Sequence, residues 1–412
     1  MPLPPTGRPA DEVLAELDDR RAGDVEYRSG RAFSLAYDAG DEVYDVATRA
    51  LSAFHSTNAL NPFAFPSLGR MQSEVVHMIA DLLNGGPDAA GFMTSGGTES
   101  ILLAVEAARN RGRAERGIDA PEMVVPTTAH AAFTKGSEYF GVKIVRVPVG
   151  DDFKAVPDAM AEHVNDNTVL LACSAPSYPQ GVIDPVAAVA AIAGERGVNC
   201  HVDCCMGGIT LPMLERLGYP IPPFDFRVPG VTSISVDLHK YGYTAKGASV
   251  ILHRNKGLRR YHTFVTDDWL GGFYASSGVL GTKSGGPIAA AWAVLNFVGE
   301  DGYLRLTREA RLATEDLVAA LRGIPGVRVL GEPEATLVAF TIDGVDVFAV
   351  GNALWARGWF ADQQGPPPSL HCTVNAVHRG RIDEFVAAIR DAIDTVRTAS
   401  AEGEQMPYAT LE

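Results

Sequence analysis

Between residues 121 and 296 short β-branched runs alternate with helical stretches. Residues 142–149, 168–173, 198–203 and 231–236 read as strands, and the alanine-rich run 186–196 reads as a helix. Such alternation places successive strands in one largely parallel sheet with helices on its faces. Ligands of these sheets bind beyond the carboxyl ends of the strands, and the polar residues of this chain collect there. His130 follows Val124-Val125, while Ser174, Tyr178 and Gln180 follow 170–173. Asp203 closes 198–203, and Asp237, His239 and Lys240 close the run from Val231.

The rest of the chain frames this region. We expect an N-terminal segment over 1–60, with 1–30 peripheral, and a large domain over 61–298. A smaller C-terminal α/β domain follows over 299–398, with strands at 326–329, 337–342 and 369–374 and helices at 345–357 and 381–397. Residues 399–412 read as a tail. The stretch 264–286, rich in Gly, Ser and aromatics, reads as a long loop.

Composition excludes several classes. A net charge of −15 argues against a nucleic-acid partner, which needs clustered Lys and Arg. The N-terminus lacks the apolar core of a signal peptide. The apolar runs 186–194 and 287–298 fall short of the roughly 20 residues that span a bilayer, so no stable membrane insertion is expected. Five cysteines, odd in number and unevenly spaced, read as reduced thiols of a cytoplasmic protein.

Lys240 is either a paired structural residue or a reactive amine, since burial disfavours its charge and favours the nucleophilic form. Residues 91–109 add a helix start with Thr94, Ser95, Gly96 and Gly97, a ready site for an anion. The Gly-Lys-Ser/Thr ending of a Walker loop is missing. Cys200, His201, Asp203, Cys204 and Cys205 invite a metal reading, but no second Cys/His pair supplies zinc spacing, so no metal is expected. A lysine, a buried aspartate, a histidine and an anion-binding helix start have one common explanation. Pyridoxal 5'-phosphate needs a lysine to attach it, a carboxylate for its ring nitrogen, an aromatic or imidazole face, and donors for its phosphate. Lys240, Asp203, His130 and the helix start at 95–98 can fill those roles.

Four motifs carry a family resemblance: Thr94-Ser-Gly-Gly-Thr-Glu-Ser-Ile-Leu, Ala129-His-Ala-Ala-Phe-Thr-Lys-Gly, His201-Val-Asp-Cys-Cys-Met-Gly-Gly and Ser233-Ile-Ser-Val-Asp-Leu-His-Lys-Tyr-Gly-Tyr. Together they resemble the sphingosine-1-phosphate lyase family, from about Tyr37 into the C-terminal domain. The resemblance implies a pyridoxal-phosphate-dependent transferase-like α/β fold (fold type I). It implies Lys240 as the Schiff-base lysine, Asp203 at the ring nitrogen and His130 stacked on the ring. Gly96, Gly97, Thr98 and His239 would hold the cofactor phosphate with Asn58 nearby, and Thr282 would reach it from the second subunit of a homodimer with shared sites. Tyr178 and His201 would line the pocket beside the reacting carbons. Tyr37, Asn61 and Lys246 would bind the phosphate of a lipid substrate. The animal enzymes' membrane anchor has no counterpart here.

The chain departs from the family pattern at Asn61-Pro62, where the family has His-Pro, at Pro179-Gln-Gly181, where it has Pro-His-Gly, and at Gly281-Thr-Lys-Ser-Gly, which is closer to the loop of amino-acid decarboxylases. The expected activity is a carbon–carbon lyase that releases a long-chain aldehyde and phosphoethanolamine. An amino-acid decarboxylase is the alternative, and a non-catalytic scaffold is disfavoured by intact Lys240 and Asp203.

Overall fold

The computed structural model describes residues 2–399; of the expected tail over 399–412, only Ala399 is described, at the end of a helix, and the rest lies outside the described residues. Seven strands build the main sheet: β1 (Ala90–Thr94), β2 (Glu122–Pro126), β3 (Lys143–Val147), β4 (Thr168–Ser174), β5 (Asn199–Asp203), β6 (Ser233–Asp237) and β7 (Ser249–His253). Their order is β1-β7-β6-β5-β4-β2-β3. The strands β3, β2, β4, β5 and β6 are parallel, and β7 runs antiparallel to both β6 and β1. Every residue of β4, β5, β6 and β7 is buried, which is why these strands read as continuous rather than alternating apolar runs.

Two of the seven strands lie where the sequence suggested none. β1 was hidden by Gly91, a poor strand former. A Cβ there would fall 2.7 Å from the Ile251 carbonyl and 2.9 Å from a Val76 methyl, so close packing of β1 requires glycine. β7 closes the sheet as an antiparallel neighbour of the strand that precedes it, a pairing that strand–helix alternation does not announce. Within the expected loop, β8 (Phe264–Thr266) and β9 (Tyr274–Ser276) pair as a hairpin.

The smaller domain is an antiparallel sheet of β10 (Val327–Leu330), β11 (Leu337–Ile342), β12 (Asp362–Gln364) and β13 (Ser369–Thr373), in the order β10-β11-β13-β12. It is covered by the helices Val347–Trp355 and Ile382–Ala399. One helix, Gly286–Arg322, joins the domains and breaks at Gly299 (φ 59°). The cores divide beyond that break. Tyr303 and Leu306 still belong to the large core, while Ala313, Leu317 and Leu321 belong to the small one.

The first 60 residues do not form a separate segment. The helix Ala10–Arg20 buries nothing, in keeping with a peripheral start. Further on, Phe33 is fully buried in the small-domain core, its ring 4.0 Å from that of His378 and 3.9 Å from that of Phe385. Residues 34–37 then cross towards the pocket of the large domain.

Candidate active site

A cavity of about 380 Å³ opens at the carboxyl ends of β4, β5 and β6, with Gly96, His130, Tyr178, Asp203, His239 and Lys240 in its wall. Gly97, Thr98 and Asp237 line it too. One edge is the start of the helix Gly97–Arg116. Its cap residue Gly96 has no side chain to satisfy the first-turn N–H groups, which are left for an anion. Glu99 fastens this start to the chain around it. Its Oε2 accepts from the Ser95 N–H (2.6 Å) and hydroxyl (2.7 Å), and its Oε1 from the Val279 N–H (2.8 Å). Gly97 is constrained by space: a Cβ would lie 2.6 Å from Cys205 Sγ and 2.8 Å from Asp237 Oδ2.

Asp203 ends β5. Its Oδ1 accepts from the Cys205 N–H at 3.0 Å and the Ser235 hydroxyl at 3.2 Å, which aims the carboxylate into the cavity wall. His130 takes the Ala132 N–H on Nδ1 at 3.1 Å, so its neutral ring carries the proton on Nε2. Burial lowers its pKa against the opposing pull of Asp203, and a neutral imidazole suits a stacking face. Lys240 Nζ lies 3.0 Å from Asp237 Oδ2, and His239 Nε2 is 3.7 Å from the same oxygen. Burial holds the His239 pKa down at about 4.

A second cation sits beside this cavity. Lys246 Nζ donates to the carbonyls of Leu35 (2.8 Å) and His239 (3.2 Å) and lies 5.0 Å from the centre of the Tyr37 ring. Burial of the ammonium, with the nearby charge of Lys240, lowers its pKa to about 8. Tyr37 packs edge-on to Tyr241, its ring centre 5.1 Å away. Tyr37 and Lys246 are therefore brought together.

Four other expected residues stand elsewhere. His201 is a correction: it is fully buried and does not line the cavity. Two residues short of the end of β5, it stays inside the sheet, with Nδ1 2.9 Å from Ser233 Oγ and Nε2 3.2 Å from Ser235 Oγ. Ser235 spends its proton on Asp203, so His201 Nε2 donates to Ser235 and helps to orient that carboxylate. Burial keeps the His201 pKa near 4. Asn61 is not joined to Lys246 in its own chain. Its Oδ1 accepts the N–H groups of Phe63 (2.9 Å) and Ala64 (3.3 Å), and its neighbours Leu60 and Pro62 line a different cavity of about 220 Å³. Asn58 Nδ2 lies 3.5 Å from Thr282 Oγ1, and neither residue lines the Lys240 cavity of the same chain. The neighbouring Lys283 turns inward, onto the Met93 carbonyl (2.6 Å) and Gln72 (3.0 Å).

Chain similarity bears directly on this geometry. Residues 6–343 match the pyridoxal-dependent decarboxylase conserved domain. Sphingosine-1-phosphate lyase 1 of Rattus norvegicus is 41% identical over 397 residues, covering 96% of this chain and 70% of the relative. The Saccharomyces cerevisiae lyase is 34% identical, over 97% of this chain and 69% of that one. The chain belongs to the sphingosine-1-phosphate lyase family. A solved family structure, a sphingosine-1-phosphate lyase of Burkholderia pseudomallei, superposes with a TM-score of 0.92 at 40% identity, covering 97% of this chain and 94% of that one. A Lactobacillus brevis glutamate decarboxylase shares the fold at 19% identity and a TM-score of 0.84.

The cofactor of this enzyme family is pyridoxal 5'-phosphate, and the cavity fits it. An uncapped helix start faces the lysine, a carboxylate is anchored opposite, and the small Gly96–Gly97 wall leaves room for a phosphate. Sequence reasoning gave no role to Asp237, which it placed at a strand end, or to Glu99, although both lie inside the quoted motifs. It also missed Ser34, Asp362 and His371, which stand behind the cavity-wall residue Tyr178 and meet it only through tertiary contact.

Proposed function

We propose that this chain cleaves a phosphorylated sphingoid base between C2 and C3, releasing a long-chain aldehyde and phosphoethanolamine. The observation that carries this reading is the Lys246–Tyr37 pair beside the Lys240 cavity. It supplies a cation for a second anion, distinct from the phosphate held at the helix start. The lyase names of relatives 34–41% identical over nearly the whole chain support it.

Bound pyridoxal phosphate supplies an electron sink for the broken bond. Lys240 is the residue that would hold the cofactor. Asp203 would pair with its ring nitrogen, and His130 would cover its ring face. Gly96, Gly97, Thr98 and His239 fix the phosphate, and Lys246 with Tyr37 orients the substrate's own phosphate. Tyr178, on the cavity wall, moves the proton of the C3 hydroxyl. His201 acts behind Asp203 rather than on the substrate.

The working unit in this reading is a homodimer. Asn58, Asn61 and Thr282 stand outside the Lys240 cavity of their own chain, and the β8–β9 hairpin exposes Phe264, Trp269, Leu270 and Phe273. A second copy would cover that apolar hairpin and receive those polar residues. Among the described residues no helix is long and apolar enough to cross a membrane. All five cysteines are unpaired and buried, in keeping with a reducing compartment such as the cytoplasm.

The test is to incubate the holoenzyme with dihydrosphingosine phosphate and follow long-chain aldehyde, and separately to offer amino acids and follow CO₂. Aldehyde without CO₂ is the expected result. CO₂ release without aldehyde would make the protein a decarboxylase.

A further inference from the structure

Tyr178 is held by residues from two other parts of the chain. Its hydroxyl donates to Asp362 Oδ2 at 2.6 Å and lies 3.2 Å from Ser34 Oγ. The Ser34 hydroxyl donates to the same carboxylate oxygen. Asp362 is buried at the start of β12, opposite His371 of β13, and the ring centres of His371 and Tyr178 are 4.1 Å apart. Tyr178 comes from the large domain, Asp362 and His371 from the small one, and Ser34 from the N-terminal segment.

A buried carboxylate is expensive unless its oxygens are hydrogen-bonded. Here the bonds come from the hydroxyls of Tyr178 and Ser34, which set the phenolic O–H directly against Asp362 Oδ2. The other titratable groups around it do not compete. Burial keeps the His371 pKa near 4, leaving a neutral ring bonded to the Pro179 carbonyl (3.3 Å) and Thr373 Oγ1 (3.0 Å). Burial, with the charge of Asp362, pushes the Cys372 thiol up and keeps it protonated. The charge of Lys240 adds to the lowering of the His371 pKa.

We propose that Asp362 is the proton-holding residue behind Tyr178: as Tyr178 Oη takes the proton of the substrate's C3 hydroxyl, the phenolic proton passes to Asp362 Oδ2. The inference rests on the role given to Tyr178 above. The substrate O–H and the phenolic O–H break, and new O–H bonds form on Tyr178 and Asp362. The electron pair of the C2–C3 bond stays with the amino-bearing fragment. Protonation of that fragment runs the relay backwards and restores both groups. An isolated phenol, with a pKa of about 10, is a poor base at neutral pH. With a carboxylate behind it, the phenol exchanges one proton for another and need not become an anion. Ser34 keeps the shared oxygen aligned.

The test compares wild type with Asp362→Asn, Tyr178→Phe and the double variant, reading kcat, KM and the pH dependence of kcat. Asparagine still accepts the Tyr178 hydrogen bond but cannot hold the proton. Asp362→Asn is expected to lower kcat by about 10²-fold, leave KM and the visible cofactor spectrum unchanged, and abolish the acidic limb of kcat. The double variant should be no slower than Tyr178→Phe. Asp362→Glu, which retains a proton acceptor, should recover the acidic limb. If Tyr178→Phe is slow while Asp362→Asn stays within twofold of wild type with its limb intact, the relay alone is overturned. A Tyr178→Phe variant at full rate overturns both the role of Tyr178 and the relay. Wild type that makes no aldehyde overturns the lyase reading itself.

Discussion

Asp237 Oδ2 lies 3.0 Å from Lys240 Nζ, so the reactive lysine rests on a buried carboxylate three residues before it. The pair spans the end of β6 and the turn that follows, and it explains how an amine is kept at a strand end without unpaired charge. Burial pushes the Asp237 pKa up, but the charge of Lys240 leads the opposing effects that leave it below 3.8.

Removing this carboxylate should therefore weaken the protein before it affects chemistry. Asp237→Asn should lower apoprotein stability by about 3 kcal/mol at pH 7, the low end for breaking a buried pair. The folded pKa is depressed, so this contribution is present above pH 3.8 and is lost as pH falls towards the folded value. Urea unfolding of both proteins at several pH values should show the gap closing in acid.

Gly97→Ala should damage the phosphate cradle. The new Cβ would have to displace Cys205 Sγ and Asp237 Oδ2, both closer than 3 Å, an overpacking worth about 1–3 kcal/mol. Cofactor affinity should fall about tenfold or more, as read from the visible absorbance of protein titrated with pyridoxal phosphate. Cys205→Ala combined with Gly97→Ala should recover part of the loss.

Lys246 should make substrate affinity pH-dependent. With its pKa lowered to about 8, the ammonium is charged at pH 7 and loses its proton as pH rises through that value. KM for the phosphorylated substrate should rise on the alkaline side, while Lys246→Arg should flatten that rise. Lys246→Met at pH 7 should raise KM about 10- to 100-fold, the value of one charged hydrogen bond.

Phe33→Ala should cost about 3–5 kcal/mol, because the ring is fully buried between His378 and Phe385. It should also slow turnover, since the next residue is Ser34 of the Tyr178 cluster. Denaturant unfolding and initial rates on the same preparation check both effects.

Leu270→Asp combined with Phe273→Asp should leave the chain monomeric and inactive. Both side chains are exposed at the hairpin, and the homodimer reading needs them covered. Sedimentation should show a single-chain mass, with unchanged far-ultraviolet circular dichroism.

The sequence by itself determined the α/β class, the parallel core of the sheet and the group around Lys240. Those residues sit at the ends of strands whose apolar runs are continuous, and local pattern is enough to find them. Through the family resemblance it also grouped Tyr37 and Lys246, together with Asn61, which the fold places elsewhere. Tertiary structure alone decided the rest. β7 pairs antiparallel with β6 and β1, which no local periodicity encodes. His201 lies two residues short of the strand end, and that small offset moves it from the cavity wall into the sheet. The Tyr178–Asp362 bond joins residues 184 positions apart from two domains. Such contacts depend on how separately folded surfaces meet, and neither periodicity nor composition carries that information.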